Sequence, residues 1–191
     1  MHRFLLLVIA GSTASGSAFA DDPFHLRGSY AFTGMSACIE DSASLGFNPD
    51  FSPKGPTSFF NYTATGTRTF NGDGTGTVTG TSVSVSAPPN AGASSATFTF
   101  QFTYAVDASG MLTTTAVPGS FSGAVLNGPR AGQTYVDQIP SITGQIGDDA
   151  RSIVLSEPAP AVETATFSNG DSFARICNRS RVLILTRHND R

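Results

Sequence analysis

The chain has 191 residues, a formal net charge of −3 and only 13% charged residues. A single lysine, Lys54, and a slightly acidic balance exclude the basic footprint that nucleic acid or an anionic membrane surface would need. Fifteen phenylalanines argue for a packed core rather than disorder. Abundant Thr, Val and Phe, with few helix formers, point to strands.

The N-terminus begins Met1-His2-Arg3, continues as the apolar run Phe4–Ala10, and reaches Ala18-Phe19-Ala20. A basic start, an apolar stretch and an A-x-A end are the pattern of a cleaved signal peptide. Residues 1–20 are therefore expected to be removed, leaving 21–191 as a single exported domain, periplasmic or secreted. The apolar run is far shorter than the roughly 20 residues that span a bilayer, and no later stretch is long enough, so no transmembrane segment is expected.

The first strand is read at Ser29–Gly34. Cys38 follows it, and Cys177, the other cysteine, lies just before the last predicted strand. In an oxidising compartment such a pair is expected to form a disulfide, here closing nearly the whole domain. Residues 41–57 hold Pro49, Pro53 and Pro56 and read as an excursion with a helical turn. From Phe59 to Phe70 the chain alternates: Thr63, Thr65, Thr67 and Thr69 on one face, Phe60, Tyr62, Ala64, Gly66, Arg68 and Phe70 on the other. Asn71-Gly72-Asp73-Gly74 supplies a hairpin. It matches the first half of a calcium loop, but Ser82 stands where the bidentate Glu belongs, so a plain turn is expected and no metal.

The return strand runs from about Thr75 to Ser86, with a phase slip expected near Gly80 because Val78 and Val83 differ in parity. Residues 87–94 read as a loop tip. From Thr97 to Val106 the alternation is sustained, with Phe98, Phe100, Phe102, Tyr104 and Val106 on one face. Further strands are predicted at Met111–Val117, Ser120–Leu126, Ile139–Ile146, Ser152–Ser156, Glu163–Phe167, Ser172–Cys177 and Arg181–Arg187, separated by turn signals such as Asp107-Ala108-Ser109-Gly110.

The expected fold is all-β: an antiparallel up-and-down meander closed into a β-barrel of about 8–10 strands, with a β-sandwich as the alternative. Closure hides sheet edges and makes first and last strands neighbours, where the two cysteines lie.

Arg68 shares its face with aromatic residues, beside the small Ala64 and Gly66. A guanidinium inside a roomy barrel would meet an anionic group on a ligand; at the rim it would pair with an acid such as Glu163. Arg175 and Arg181, flanking Cys177, are open to the same two readings. The candidate ligand-binding set is Phe60, Tyr62, Arg68, Phe98, Phe100, Phe102 and Tyr104. No catalytic residue, cofactor or metal is assigned, since no nucleophile motif, metal-spaced His/Cys set or phosphate loop is present.

Gly28-Ser29-Tyr30 stands where lipocalins carry G-x-W, and Arg181 or Arg187 on the last strand could cover Tyr30 as the lipocalin arginine covers its Trp. The chain thus resembles the calycin group, including lipocalins and allene oxide cyclase-like barrels. Its Gly28–Gly34 and Arg68–Gly80 segments also resemble exported bacterial proteins of unassigned function. The resemblance implies a barrel holding a small apolar ligand; Arg68 on the inward face extends the expectation to an anionic amphipathic one. A structural or surface-interaction protein with a filled core is the alternative, and an isomerase-type barrel enzyme a further one.

Overall fold

The computed structural model describes residues 26–42, 44–87 and 92–187; the expected signal peptide lies outside the described residues. Eleven strands form one antiparallel sheet: β1 (Arg27–Ser42), β2 (Ser58–Asn71), β3 (Thr75–Ser86), β4 (Gly92–Val106), β5 (Met111–Ala116), β6 (Ser122–Asn127), β7 (Thr134–Asp137), β8 (Ile142–Ile146), β9 (Ser152–Ser156), β10 (Val162–Phe167) and β11 (Ser172–Arg187). The described residues contain no helix. The helical turn expected within 41–57 is replaced by bends, turns and the isolated bridge Phe47–Pro53.

The pairings close a ring of eight strands, β1-β2-β3-β4-β5-β8-β9-β11 and back to β1, as the barrel expectation required. Three positions of the ring are held by pairs of short strands. β5 and β6 both lie along β4, the first on Phe102–Val106 and the second on Ser95–Thr99. β8 and β7 continue the wall beyond them, and β9 and β10 complete it against β11. Each interruption in the chain carries proline: Pro118 between β5 and β6, Pro140 between β7 and β8, Pro158 and Pro160 between β9 and β10. Proline has no N–H to give the ladder, so a continuous strand breaks there and resumes on the same neighbour.

β2 and β3 pair without a shift from Phe60–Ser86 to Phe70–Gly76, so the expected slip near Gly80 does not occur. Val83 and Val85 simply face outward and are exposed. The Asn71–Thr75 turn is tied by its own side chains: the Thr75 N–H and hydroxyl both donate to Asp73 Oδ1, at 2.9 and 2.6 Å. The expected break between Cys177 and Arg181 is also absent, because β11 runs through it as one 16-residue strand.

One end of the ring, where β1 begins, is solid. Leu26, Tyr30, Phe70, Phe102, Leu112, Ile153, Leu155 and Leu183 are fully buried there. Phe70 meets Tyr30, Phe102 and Tyr104 edge-on, with centroids 5.0–5.3 Å apart, the arrangement ring quadrupoles favour. The polar tips of this plug are satisfied by main-chain carbonyls: Tyr30 donates to Ala150 and Tyr104 to Leu26. The other end is not filled, and the candidate site lies there.

Candidate functional site

Above the plug the interior opens into a cavity of about 530 Å³. Of the residues expected to line the interior, Phe60, Tyr62, Arg68, Phe98 and Phe100 do so. Phe102 and Tyr104 face inward as expected but lie below it, packed in the plug. One wall is aromatic. Phe98, Phe100 and Phe121 have nearly parallel rings 5.9–6.5 Å apart, and Tyr135 and Phe167 extend the series. Phe121 sits in the β5–β6 break and Tyr135 on β7, where its ring lies against the bare Gly123. The guanidinium of Arg130 stacks over Phe167 and Phe173 at 4.7 and 4.5 Å.

The facing wall is polar and comes from β2 and β11. Arg68 is 6% exposed and lies at the bottom of the cavity. It donates to Thr114 Oγ1 at 3.2 Å and stacks over Phe102 at 4.6 Å. No carboxylate lies within 4 Å of it among the described residues. Burial, with a smaller push from Arg181, lowers its pKa to about 9. Glu163, the acid considered as its partner, is engaged elsewhere.

That engagement is a buried ion cluster. Glu163 Oε1 accepts from Arg175 Nε and Arg179 Nη2. Arg175 also pairs with Asp137, and Arg179 with Glu157. Arg179 Nε donates to the Tyr62 hydroxyl at 2.8 Å. The register explains the grouping: Ser36 of β1 pairs with both Tyr62 and Arg179, and Glu40 pairs with Arg175. Between these levels the Cys38–Cys177 disulfide joins directly paired residues of β1 and β11. Burial alone would raise the pKa of Tyr62, but the nearby Arg179, Arg175 and Arg181 outweigh it and lower it. The arginines engage one oxygen of each carboxylate; Glu163 Oε2 and Asp137 Oδ1 have no hydrogen-bond partner among the described residues.

Arg179, Glu157 and Asp137 were not singled out by sequence reasoning. Their only signal was polar residues at inward parity, which weakened the strand pattern instead of marking a site. Among the described residues no group of three or more His, Cys, Asp or Glu could hold a metal ion.

Burial pushes the Asp137 carboxyl up to about 6, against the opposing pull of Arg175. The folded protein then holds this proton more tightly than the unfolded chain, whose Asp titrates near 4. Asp137's contribution to stability is greatest below about pH 4, falls as pH rises to about 6, and is flat above. Asp137→Asn, which cannot ionise, is expected to gain stability relative to wild type across that window. Urea midpoints of both proteins from pH 4 to pH 7.5 measure it; a constant difference would refute it.

Among the described residues no helix is long and apolar enough to cross a membrane. No family model matches the chain, and no curated protein matches it.

Proposed function

We propose that this is an exported, calycin-like barrel that binds one small hydrophobic or amphipathic molecule in its interior, with Arg68 meeting an anionic group on it. The observation that carries the reading is a buried guanidinium without a carboxylate partner at the bottom of an aromatic-walled cavity of about 530 Å³. That volume lies within the range of roughly 300–1,000 Å³ typical of small-ligand sites. A buried charge left unpaired is costly, and a fold keeps one where a partner arrives from outside. The disulfide is compatible with export.

The test separates function from stability. Arg68→Leu removes an unpaired buried cation, so stability is expected to hold or to rise by about 1 kcal/mol. The same change is expected to weaken decanoate binding at least ten-fold and to spare 1-decanol. Calorimetric titration and urea unfolding measure the two. A loss of several kcal/mol, with decanoate binding intact, would make Arg68 a structural residue. Native mass spectrometry and organic extraction of the purified protein would identify a resident molecule.

One observation favours the second reading, a surface-interaction protein. Thr33, Thr65, Thr81 and Thr97 are exposed and in register across β1–β4, forming an uncharged outer row. Failure of decanol and decanoate alike to bind would favour that reading.

A further inference from the structure

We propose that Phe32 and Phe98 are the specificity residues of the cavity: they hold a fixed apolar arc just above Arg68, past which only an anionic group on an unbranched chain reaches that guanidinium. This rests on the reading that the cavity binds an amphiphile. It goes further in naming the shape of the ligand's inner end.

The inference comes from how side-chain size changes from row to row along the wall. Four inward positions stand in direct register across β1–β4: Phe32 with Gly66, Gly66 with Gly80, and Gly80 with Phe98. Two aromatic residues thus flank two glycines. A Cβ on Gly66 would stand 3.0 Å from Phe32 Cε1, and one on Gly80 would stand 2.8 Å from Phe98 Cζ and 3.2 Å from Phe32 Cζ. Both rings therefore lie against bare main chain, in space that only glycine leaves.

The arc continues on either side. The Phe32 and Phe98 centroids are 6.5 Å apart, and those of Phe98 and Phe121 6.1 Å. These are separations of rings in contact, so no chain passes between them. In the other direction Phe32 pairs with Leu183 of β11. All four side chains line the cavity.

The rows above and below differ. One inward row nearer the mouth, Gly34, Ala64, Ser82 and Ala96 stand in register. The Arg181 stem covers Gly34, but along β2–β4 this row holds nothing larger than serine, and the lumen widens there. One row nearer the plug come Tyr30, Arg68, Val78 and Phe100. Arg68 therefore starts roughly 7 Å along the strand beneath the arc.

An amphiphile whose anion meets Arg68 must pass the arc with that end first. The rings cannot swing outward, because they already rest on the wall. Beneath them Tyr30 and Phe102 are fully buried and close the floor, so a branch beside the anion finds no room. A branch at the far end of the chain stays in the wider chamber.

Two isomeric acids separate the ends. At pH 8, 2,2-dimethyldecanoate and 9,9-dimethyldecanoate carry the same charge and the same apolar content and differ only in where the branch lies. Calorimetry on the intact protein is expected to show the 9,9-isomer binding at least about ten-fold tighter, the discrimination that one misfitting methyl group gives in an apolar pocket. Trimming the arc by Phe32→Leu or Phe98→Leu should bring the ratio within about three-fold, because each change leaves room for a methyl group. Phe32 is buried and Phe98 only partly so; if urea unfolding shows that Phe32→Leu does not fold, Phe98→Leu supplies the comparison. Equal binding of the two isomers to the wild-type protein, with decanoate bound, would overturn the inference alone. A ratio unchanged in a folded variant would overturn it as well, since the branch would then be refused elsewhere. Failure of decanoate, decanol and both isomers to bind would overturn the cavity reading with it.

Discussion

Replacing Glu163 with Gln is expected to cost about 3–5 kcal/mol, the range for breaking a buried ion cluster by removing one member. The Glu163 side chain is fully buried, and a single oxygen serves both Arg175 and Arg179. Gln keeps the shape, but its neutral amide leaves two guanidinium groups facing Asp137 and Glu157 alone. The cost arises from stranded charge, not from lost packing. A companion variant separates the two: Arg175, Arg179, Glu163, Asp137 and Glu157 replaced together by apolar residues of similar volume, so that no buried charge is left stranded, should lose much less than Glu163→Gln alone. Urea unfolding of both checks it. A loss below about 1 kcal/mol for Glu163→Gln would mean that water reaches the cluster, and the cavity would then be wetter than its burial implies.

The same cluster explains what the sequence concealed. β2 and β4 were legible because their inward positions are almost all apolar and their outward ones Thr, Gln or Ser, a clean period of two. The plug and the aromatic wall follow from that pattern, and Arg68 was identifiable as the one charge on an otherwise apolar inward face of β2. On β11 the inward positions include Arg175, Cys177, Arg179 and Arg181, so the alternation dissolves and the strand reads as two. β7 was not predicted at all: four residues, Thr134–Asp137, are too few to establish a period, and one of the two inward ones is an acid. Charged residues at core positions are unfavourable singly and acceptable only when all their partners meet. That condition depends on three-dimensional register, which one strand cannot display. Val83 misled in the opposite direction. Apolar residues on an outward face near the mouth imitate a change of phase, when a folded protein commonly leaves many apolar atoms exposed.

Removing the disulfide by Cys38→Ala and Cys177→Ala is expected to cost about 2–5 kcal/mol. The bridge spans 139 residues, and the chain-entropy model gives about 5 kcal/mol for a loop of that length. The folded state itself should change little. β1 and β11 are paired from Ser29–Arg187 to Ser42–Phe173, so the ring is closed by many main-chain bonds besides the bridge. The effect therefore belongs mainly to the unfolded chain, whose ends the bridge holds together. Far-UV circular dichroism of the folded variant should match wild type, while the urea midpoint falls and the slope of the transition rises as the unfolded chain expands. The site supplies a second readout. Cys177 Sγ lies 3.3 Å from Glu163 Oε1, inside the ion cluster. If the bridge only restrains the unfolded chain, decanol affinity is unchanged in the variant. If it also holds the β1–β11 seam in the register that stacks Arg175, Arg179 and Arg181 along one wall, affinity for anionic amphiphiles falls more than affinity for decanol.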